Sequence, residues 1–335
     1  MRQWRQHWFV ILLGGVVALA ALAPQLGSGQ GPLRTASWSP LLVPLLFLIS
    51  GLILRTHEVR AAAADWRLHV FTQGFSLALL PVAFWAMALL LGAAHVDAAL
   101  CTGVVVLGAL STTTTSGVTF TRVSGGDEAG ALFNATLGSL LGVVVSPLLI
   151  LLATGRHGAL PVGDMISGLA LQVVLPVVVG QIVQALAPRP LAAMRGALGL
   201  ASQWLLLVLV WQVFCDSVAR GFSPSVAQVA GIGALMLAAH LAAVAGAFHL
   251  SGWRIWRLSR PRRTAAVICA TQKTVALGLP LMRIVFAGDP DLAALILPLL
   301  VYHMLQLVIA SVAAPWWRRW NAVQTTPGSP GVPPL

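Results

Sequence analysis

The sequence predicts an all-α membrane protein of ten transmembrane helices, built as two inverted sets of five. Three observations lead there. First, 58% of the 335 residues are hydrophobic and 9% are charged, whereas a soluble domain carries about 25% charged residues. Second, apolar runs long enough to span a bilayer recur ten times. Third, "VSGGDEAGAL" at 123–132 resembles "VFAGDPDLAAL" at 285–295, with Gly126 and Asp127 matching Gly288 and Asp289. A five-span unit repeated once must be inverted, because five is odd.

The first run, 8–24, follows a basic start and ends in an A-x-A-like sequence, which imitates a signal peptide. Pro24 would follow the cut and the span count requires the segment, so it reads as span one. Spans two to five are 38–55, 67–92, 98–122 and 128–153, and residues 1–155 form the first repeat. Spans six to ten are 162–186, 197–219, 225–250, 263–287 and 292–316, and residues 156–320 form the second. Residues 321–335, rich in Pro, Gly and Thr, read as a disordered tail. Fifteen of the nineteen arginines fall on the side shared by both termini and four on the other. The positive-inside bias places both termini in the cytoplasm and the chain in the cell (inner) membrane, as a multi-pass protein.

The formal charge of +11 could suggest nucleic acid, but the arginines lie between apolar runs and encode topology. Cys101, Cys215 and Cys269 sit inside apolar runs without metal or disulfide spacing. No cofactor, metal site or catalytic residue is expected.

Two stretches resist the helical pattern. "LSTTTTSGV", 110–118, places four threonines and a glycine in mid-span, where β-branched residues and Gly disfavour helix. Such hydroxyls either glue helices together or line an unwound segment and bind a ligand. "CATQKTVALGLPLM", 269–282, holds the single lysine of the chain, with no acid within fifteen positions. The offset of 162 that aligns the two Gly-Asp pairs puts Ser111 opposite Lys273. Interrupted spans at corresponding positions of two repeats point to a transporter's binding site. Lys273 lies about ten residues from Arg263 and from Arg283, too deep to snorkel easily. Three roles are open to it: attracting an anionic substrate, replacing a metal cation, or carrying a proton. Hydroxyls, backbone carbonyls and the C-terminal end of a half-helix would compensate its charge. The expected lining is Ser111, Thr112, Thr113, Thr114, Thr115, Asn134, Gln272, Lys273 and Thr274, with Ser139 and His303 as further candidates. Asp216 reads as a local partner of Arg220, His240 as a packing residue, and the mid-span prolines as kinks.

At these residues the chain resembles the bile acid:sodium symporter superfamily, in its sodium/bile acid cotransporter 7-like branch. The matching segments are "FLISGLILRTHEV" (47–59), the block 110–149, "LQVVLPVVVGQIV" (171–183), "VFCDSV" (213–218) and "CATQKTVALGLPL" (269–281). The resemblance implies a core domain of spans three to five and eight to ten, a panel domain of spans one, two, six and seven, and broken, crossing spans four and nine. Well-studied members carry organic anions with sodium. In that pattern Gln272 is retained, Lys273 stands at an Asn-like position, and the sodium-binding Glu falls on Ile268. A fixed ammonium thus takes the place of lost sodium ligands. The expected function is alternating-access transport of a small organic anion, sodium-independent or proton-coupled, with sodium the less favoured ion. The competing readings are a membrane regulator or scaffold without a transport cycle, an arsenite-type small-ion exporter of the same fold, and an intramembrane enzyme, which lacks a nucleophile–base pair.

Overall fold

The computed structural model describes residues 4–29, 31–33, 35–53, 65–113, 115–154, 167–168 and 170–322. The expected tail beyond residue 322, Thr114, and the loops holding Arg55, Arg60 and Arg156 lie outside the described residues. Among the described residues all regular structure is helical. The helices are α1 (Trp4–Leu22), the short α2 (Pro24–Gly27), α3 (Thr35–Ile53) and α4 (Trp66–Ala93). Next come α5 (Ala98–Ala109), α6 (Thr115–Val123), α7 (Glu128–Thr154) and α8 (Ala170–Leu186). The chain continues through α9 (Pro188–Ala219), α10 (Val226–Ser251), α11 (Arg260–Thr271), α12 (Val275–Val285) and α13 (Leu292–Ala322).

Among the described residues six helical segments are long and apolar enough to cross a bilayer: α4, α7, α9, α10, α13 and the interrupted rod Arg260–Val285. Shorter apolar stretches occupy Ile11–Leu22, Pro40–Ile53, Ala98–Ala109 and Ala170–Leu186. The chain is a multi-pass membrane protein. Two expected spans differ in outline. The seventh starts at Pro188 rather than 197, so Arg189 and Arg195 ride on helix instead of a loop. Proline at the first helical position has no lost hydrogen bond, so "APRP" opens a helix rather than blocking one. The tenth runs on to Ala322 through Pro315. Asp216 accepts from the Gly29 amide at 2.7 Å, so its carboxylate tethers the α2 end.

The helices fall into two packing groups. In one, α1, α3, α8 and α9 pack on one another. In the other, α4 to α7 pack with α10, α11 and α13. The helix α9 bridges them by packing on α12 and α13. Backbone proximity holds the first group together. A Cβ on Gly51 would lie 2.4 Å from Val177 O, and one on Gly180 would lie 2.5 Å from Leu48 O. Small residues at such a crossing let membrane helices approach closely, where apolar burial drives nothing.

Two π-turns sit just ahead of prolines: Phe75–Leu79 before Pro81 in α4, and Ala170–Val174 before Pro176 in α8. A proline in mid-helix lacks its N–H and crowds the carbonyl one turn back, and widening the turn relieves both. In α4 the Leu80 N–H reaches back to Phe75 O. The next bond in that register would run from residue 81 to Ser76 O, and Pro81 has no N–H to make it. Ser76 O is therefore left available inside the bundle.

Gly180→Val should overpack the α3–α8 crossing and cost about 1–3 kcal/mol. Thermal unfolding in detergent checks it against Gly231→Ala, where nothing lies within 4 Å and stability should hold or rise slightly.

Candidate substrate and ion site

The rod that begins at Ala98 stops at Ala109 and resumes at Thr115; the rod that begins at Arg260 stops at Thr271 and resumes at Val275. Leu110 (φ −74°, ψ 151°), Gln272 (φ −79°, ψ 138°) and Thr274 (φ −93°, ψ 122°) are extended. The two breaks touch: the Thr274 N–H donates to Ser111 O at 3.1 Å. Each break frees carbonyls at one half-helix end and N–H groups at the other. In a bilayer each of these must find a partner within the protein. The glycines of α7 let that helix approach the first break, since a Cβ on Gly142 would sit 2.3 Å from Ser111 Oγ and one on Gly138 would sit 2.9 Å from Thr112 Cγ2.

Lys273 is fully buried. Its Nζ donates to Leu110 O at 2.6 Å, Ser76 O at 2.8 Å and Gly108 O at 2.9 Å, with Ser76 Oγ at 3.4 Å. An ammonium has three N–H donors, and three carbonyls take them. Gly108 and Leu110 lie at the C-terminal end of α5, where helix termination leaves carbonyls unpaired and the dipole favours a cation. Ser76 O is the carbonyl that Pro81 leaves free. The ammonium thus occupies an oxygen cage made of backbone released by a helix end and a proline.

The Lys273 peptide is gripped as firmly as its side chain. Gln306 Oε1 accepts from Lys273 N at 2.7 Å, and Gln306 Nε2 donates to Lys273 O at 2.8 Å. This pair of hydrogen bonds replaces the helix ladder that the break removes. It also fixes the amide: the oxygen faces the Lys273 N–H, so the NH₂ faces Lys273 O and His303 Nδ1, the latter at 2.8 Å. His303 Nδ1 faces both this NH₂ and Lys273 O, the latter at 3.2 Å, and the ring's tautomer decides which of the two it bonds. Tyr302 Oη donates to Thr271 O at 2.8 Å, satisfying the end of α11. His240 packs edge-on against the Tyr302 ring at 5.0 Å.

Of the expected lining residues, Ser111, Thr112, Thr113, Gln272, Lys273 and Thr274 come together at the crossing. Thr113 Oγ1 and Ser116 Oγ both donate to Gln272 Oε1, at 2.9 and 3.0 Å. The Gly117 N–H donates to Thr113 Oγ1 at 3.1 Å, so Thr113 also caps α6. Ser111 Oγ and Thr112 Oγ1 are buried without a hydrogen-bond partner. Thr115 opens α6. Asn134 is more remote in role. Its backbone O and Oδ1 accept from Gln73 Nε2 at 2.9 and 3.2 Å, and its Nδ2 donates to Gly130 O, which ties α7 to α4. Ser139 Oγ donates to Ala135 O of its own helix. His303 meets the site directly, with Nδ1 3.2 Å from Lys273 O, and also through Gln306.

Sequence reading passed over Gln73, Ser76, Ser116, Tyr302 and Gln306. A signal existed. Gln73 and Ser76, like His303 and Gln306, are polar pairs three apart on apolar helices, and so share a face.

Residues 7–319 match the SBF-like CPA transporter family. The chain belongs to that family. Among its relatives, the mouse sodium/bile acid cotransporter 7 is 33% identical over 322 residues, covering 94% of each chain. The Xenopus tropicalis protein of the same name is 32% identical over 322 residues, covering 96% of this chain and 94% of its own. The Danio rerio one is 32% identical over 321 residues, covering 94% and 95%. As an SBF-like CPA transporter the chain is a membrane carrier rather than an enzyme.

In this SBF-like CPA transporter, Gln306→Met should leave the Lys273 N–H and carbonyl unpaired, at about 1–3 kcal/mol for each orphaned group. Thermal unfolding in detergent measures it.

Proposed function

We propose that the protein is a secondary active transporter that moves an organic anion by alternating access, with the Lys273 ammonium in place of a coupling sodium ion. Ten crossings in two inverted repeats, residues 1–155 and 156–320, would supply the two groups of helices that move against each other. The α4–α7 and α10–α13 group is the core, and the α1, α3, α8 and α9 group is the panel. Both termini would face the cytoplasm and the membrane would be the cell membrane. Ser111, Thr112, Thr113, Thr114, Thr115, Gln272 and Thr274 would line the substrate path, with Asn134 at its margin.

The observation that carries this reading is the carbonyl cage around Lys273 Nζ. Three short bonds to main-chain oxygens resemble the oxygen set that a monovalent cation requires. They also use every N–H of the ammonium, which favours the cation-replacing role over direct capture of substrate. The anion would instead meet the N-terminal ends of α6 and α12, whose first-turn amides and dipoles favour negative charge. The unpartnered hydroxyls of Ser111 and Thr112 lie beside them. The relatives are named for sodium and bile acid; in this chain the tethered cation makes sodium dispensable, and a bile salt serves as the first probe among organic anions.

Ligand-dependent thermal stabilisation across an organic-anion panel identifies a transported probe, and proteoliposomes then test the coupling. Uptake should persist when choline replaces sodium, and a strict sodium requirement would refute the substitution. Collapsing an imposed pH gradient separates proton coupling, which slows uptake, from uncoupled exchange, which does not. Lys273→Met should abolish uptake, whereas unchanged uptake would remove the ammonium from the mechanism.

A further inference from the structure

One end of the bundle carries charge that the transport site does not use. The first turn of α11 reads Arg260-Pro261-Arg262-Arg263, and the last turns of α13 read Trp316-Trp317-Arg318-Arg319-Trp320. Arg260 Cζ and Arg263 Cζ each lie 5.3 Å from the Trp320 ring centroid, and Arg263 Cζ also lies 4.7 Å from that of Phe248. Two guanidiniums therefore flank a single indole. Their placement is built by hydrogen bonds. Arg260 Nη1 donates to Trp320 O at 2.9 Å; Arg263 Nη2 donates to Phe248 O at 2.7 Å and its Nε to Ser251 Oγ at 3.4 Å.

No carboxylate answers this pair among the described residues. Arg262 takes Asp65 at 2.8 Å and Asp127 at 4.0 Å, and Arg122 takes Glu128. The positive end of the α11 dipole adds to the two charges instead of offsetting them. A guanidinium carries five N–H donors in a fork that suits phosphate, and those bonds leave several donors free on each arginine.

The apolar surface beside the pair says what kind of anion fits. Trp316 stacks on Trp320, with centroids 6.2 Å apart and planes 5° apart. Val308, Val312 and Trp316 are 47%, 76% and 52% exposed. Their spacing of four puts them on one face of α13, a stripe that leads to the stacked indoles. Trp at the end of a lipid-facing stripe marks the headgroup level. A soluble anion has no use for the stripe, whereas acyl chains do.

We propose that Arg260 and Arg263 bind the phosphate of an anionic phospholipid of the surrounding bilayer, whose acyl chains lie along Val308, Val312 and Trp316.

The test places the full chain in nanodiscs of phosphatidylcholine, with or without phosphatidylglycerol. It reads the melting temperature, and native mass spectrometry reads retained phosphatidylglycerol. The proposal expects a higher melting temperature with phosphatidylglycerol and lipid retained on the protein. Arg260→Gln with Arg263→Gln should remove most of the shift and the retained lipid. Arg254→Gln with Arg257→Gln removes the same charge from the α10–α11 connection and should keep both. Equal losses in the two double variants would show diffuse surface attraction and overturn the site, as would no loss in either. Glycerol phosphate added to protein in phosphatidylcholine discs should not reproduce the shift; full reproduction would make the ligand a free phosphate. Where the Arg260/Arg263 variant does not fold, Trp316→Ala decides: retention should fall by half or more, and unchanged retention overturns the proposal.

Discussion

A buried ammonium with no counter-ion among the described residues is the constraint around which the centre of this protein is arranged. Removing such a charge from water costs several kcal/mol even after relaxation, and no acid lies nearby in sequence. The chain meets the cost with main-chain oxygen. It stops α5 at Ala109 and places a proline five residues after Ser76, and the carbonyls released by both devices converge on Lys273 Nζ. The break that frees these carbonyls is also the feature that would otherwise be most costly in a bilayer. Cation and break satisfy each other, so neither is separable from the other.

The same accounting explains the second break. The Gln272 N–H still bonds to Ile268 O and Thr274 O still accepts from the Gly278 N–H, but groups between these ladder ends are taken by residues from other elements. Gln306 of α13 takes both groups of Lys273, Ser111 takes the Thr274 N–H, and Tyr302 takes the Thr271 carbonyl. The crossing is therefore held by α4, α5, α11, α12 and α13 at once. Irregular backbone at membrane depth is tolerable only where such partners are supplied. Against that background the two unpartnered hydroxyls of Ser111 and Thr112 stand out.

Much of this could be read from sequence, because both breaks carry residue types that a helix interior rejects, and because a lone lysine among apolar residues has few bland explanations. The apolar runs located the helices, since burial in lipid leaves composition as the dominant signal. What escaped was the identity of the partners. Ser76 matters for its carbonyl, and a carbonyl has no letter in the sequence; the clue was Pro81, which read only as a kink. Gln306 was one amide among apolar neighbours, and its role depends on α13 lying against the second break, a tertiary fact. Asn134 sits at the right depth, yet whether it faces the break or α4 is set by rotation of α7, which near-uniform apolarity around that helix leaves undetermined.

A tethered cation changes what the proposed cycle can couple to. A diffusible sodium ion links substrate movement to its gradient because it arrives and leaves with the cargo. Lys273 does neither, so while it stays protonated the protein would contribute the same positive charge to both directions of that cycle. Over a full cycle the membrane potential would then act on the anion alone, and the proposed cycle would be that of an exchanger or a facilitator. Gradient coupling through this residue requires that the ammonium lose its proton once per cycle. The neutral amine would leave the three carbonyls of Ser76, Gly108 and Leu110 with at most two N–H donors to share. An orphaned carbonyl in the crossing is a reason for the core to rearrange, so protonation and reorientation would be linked through the cage itself.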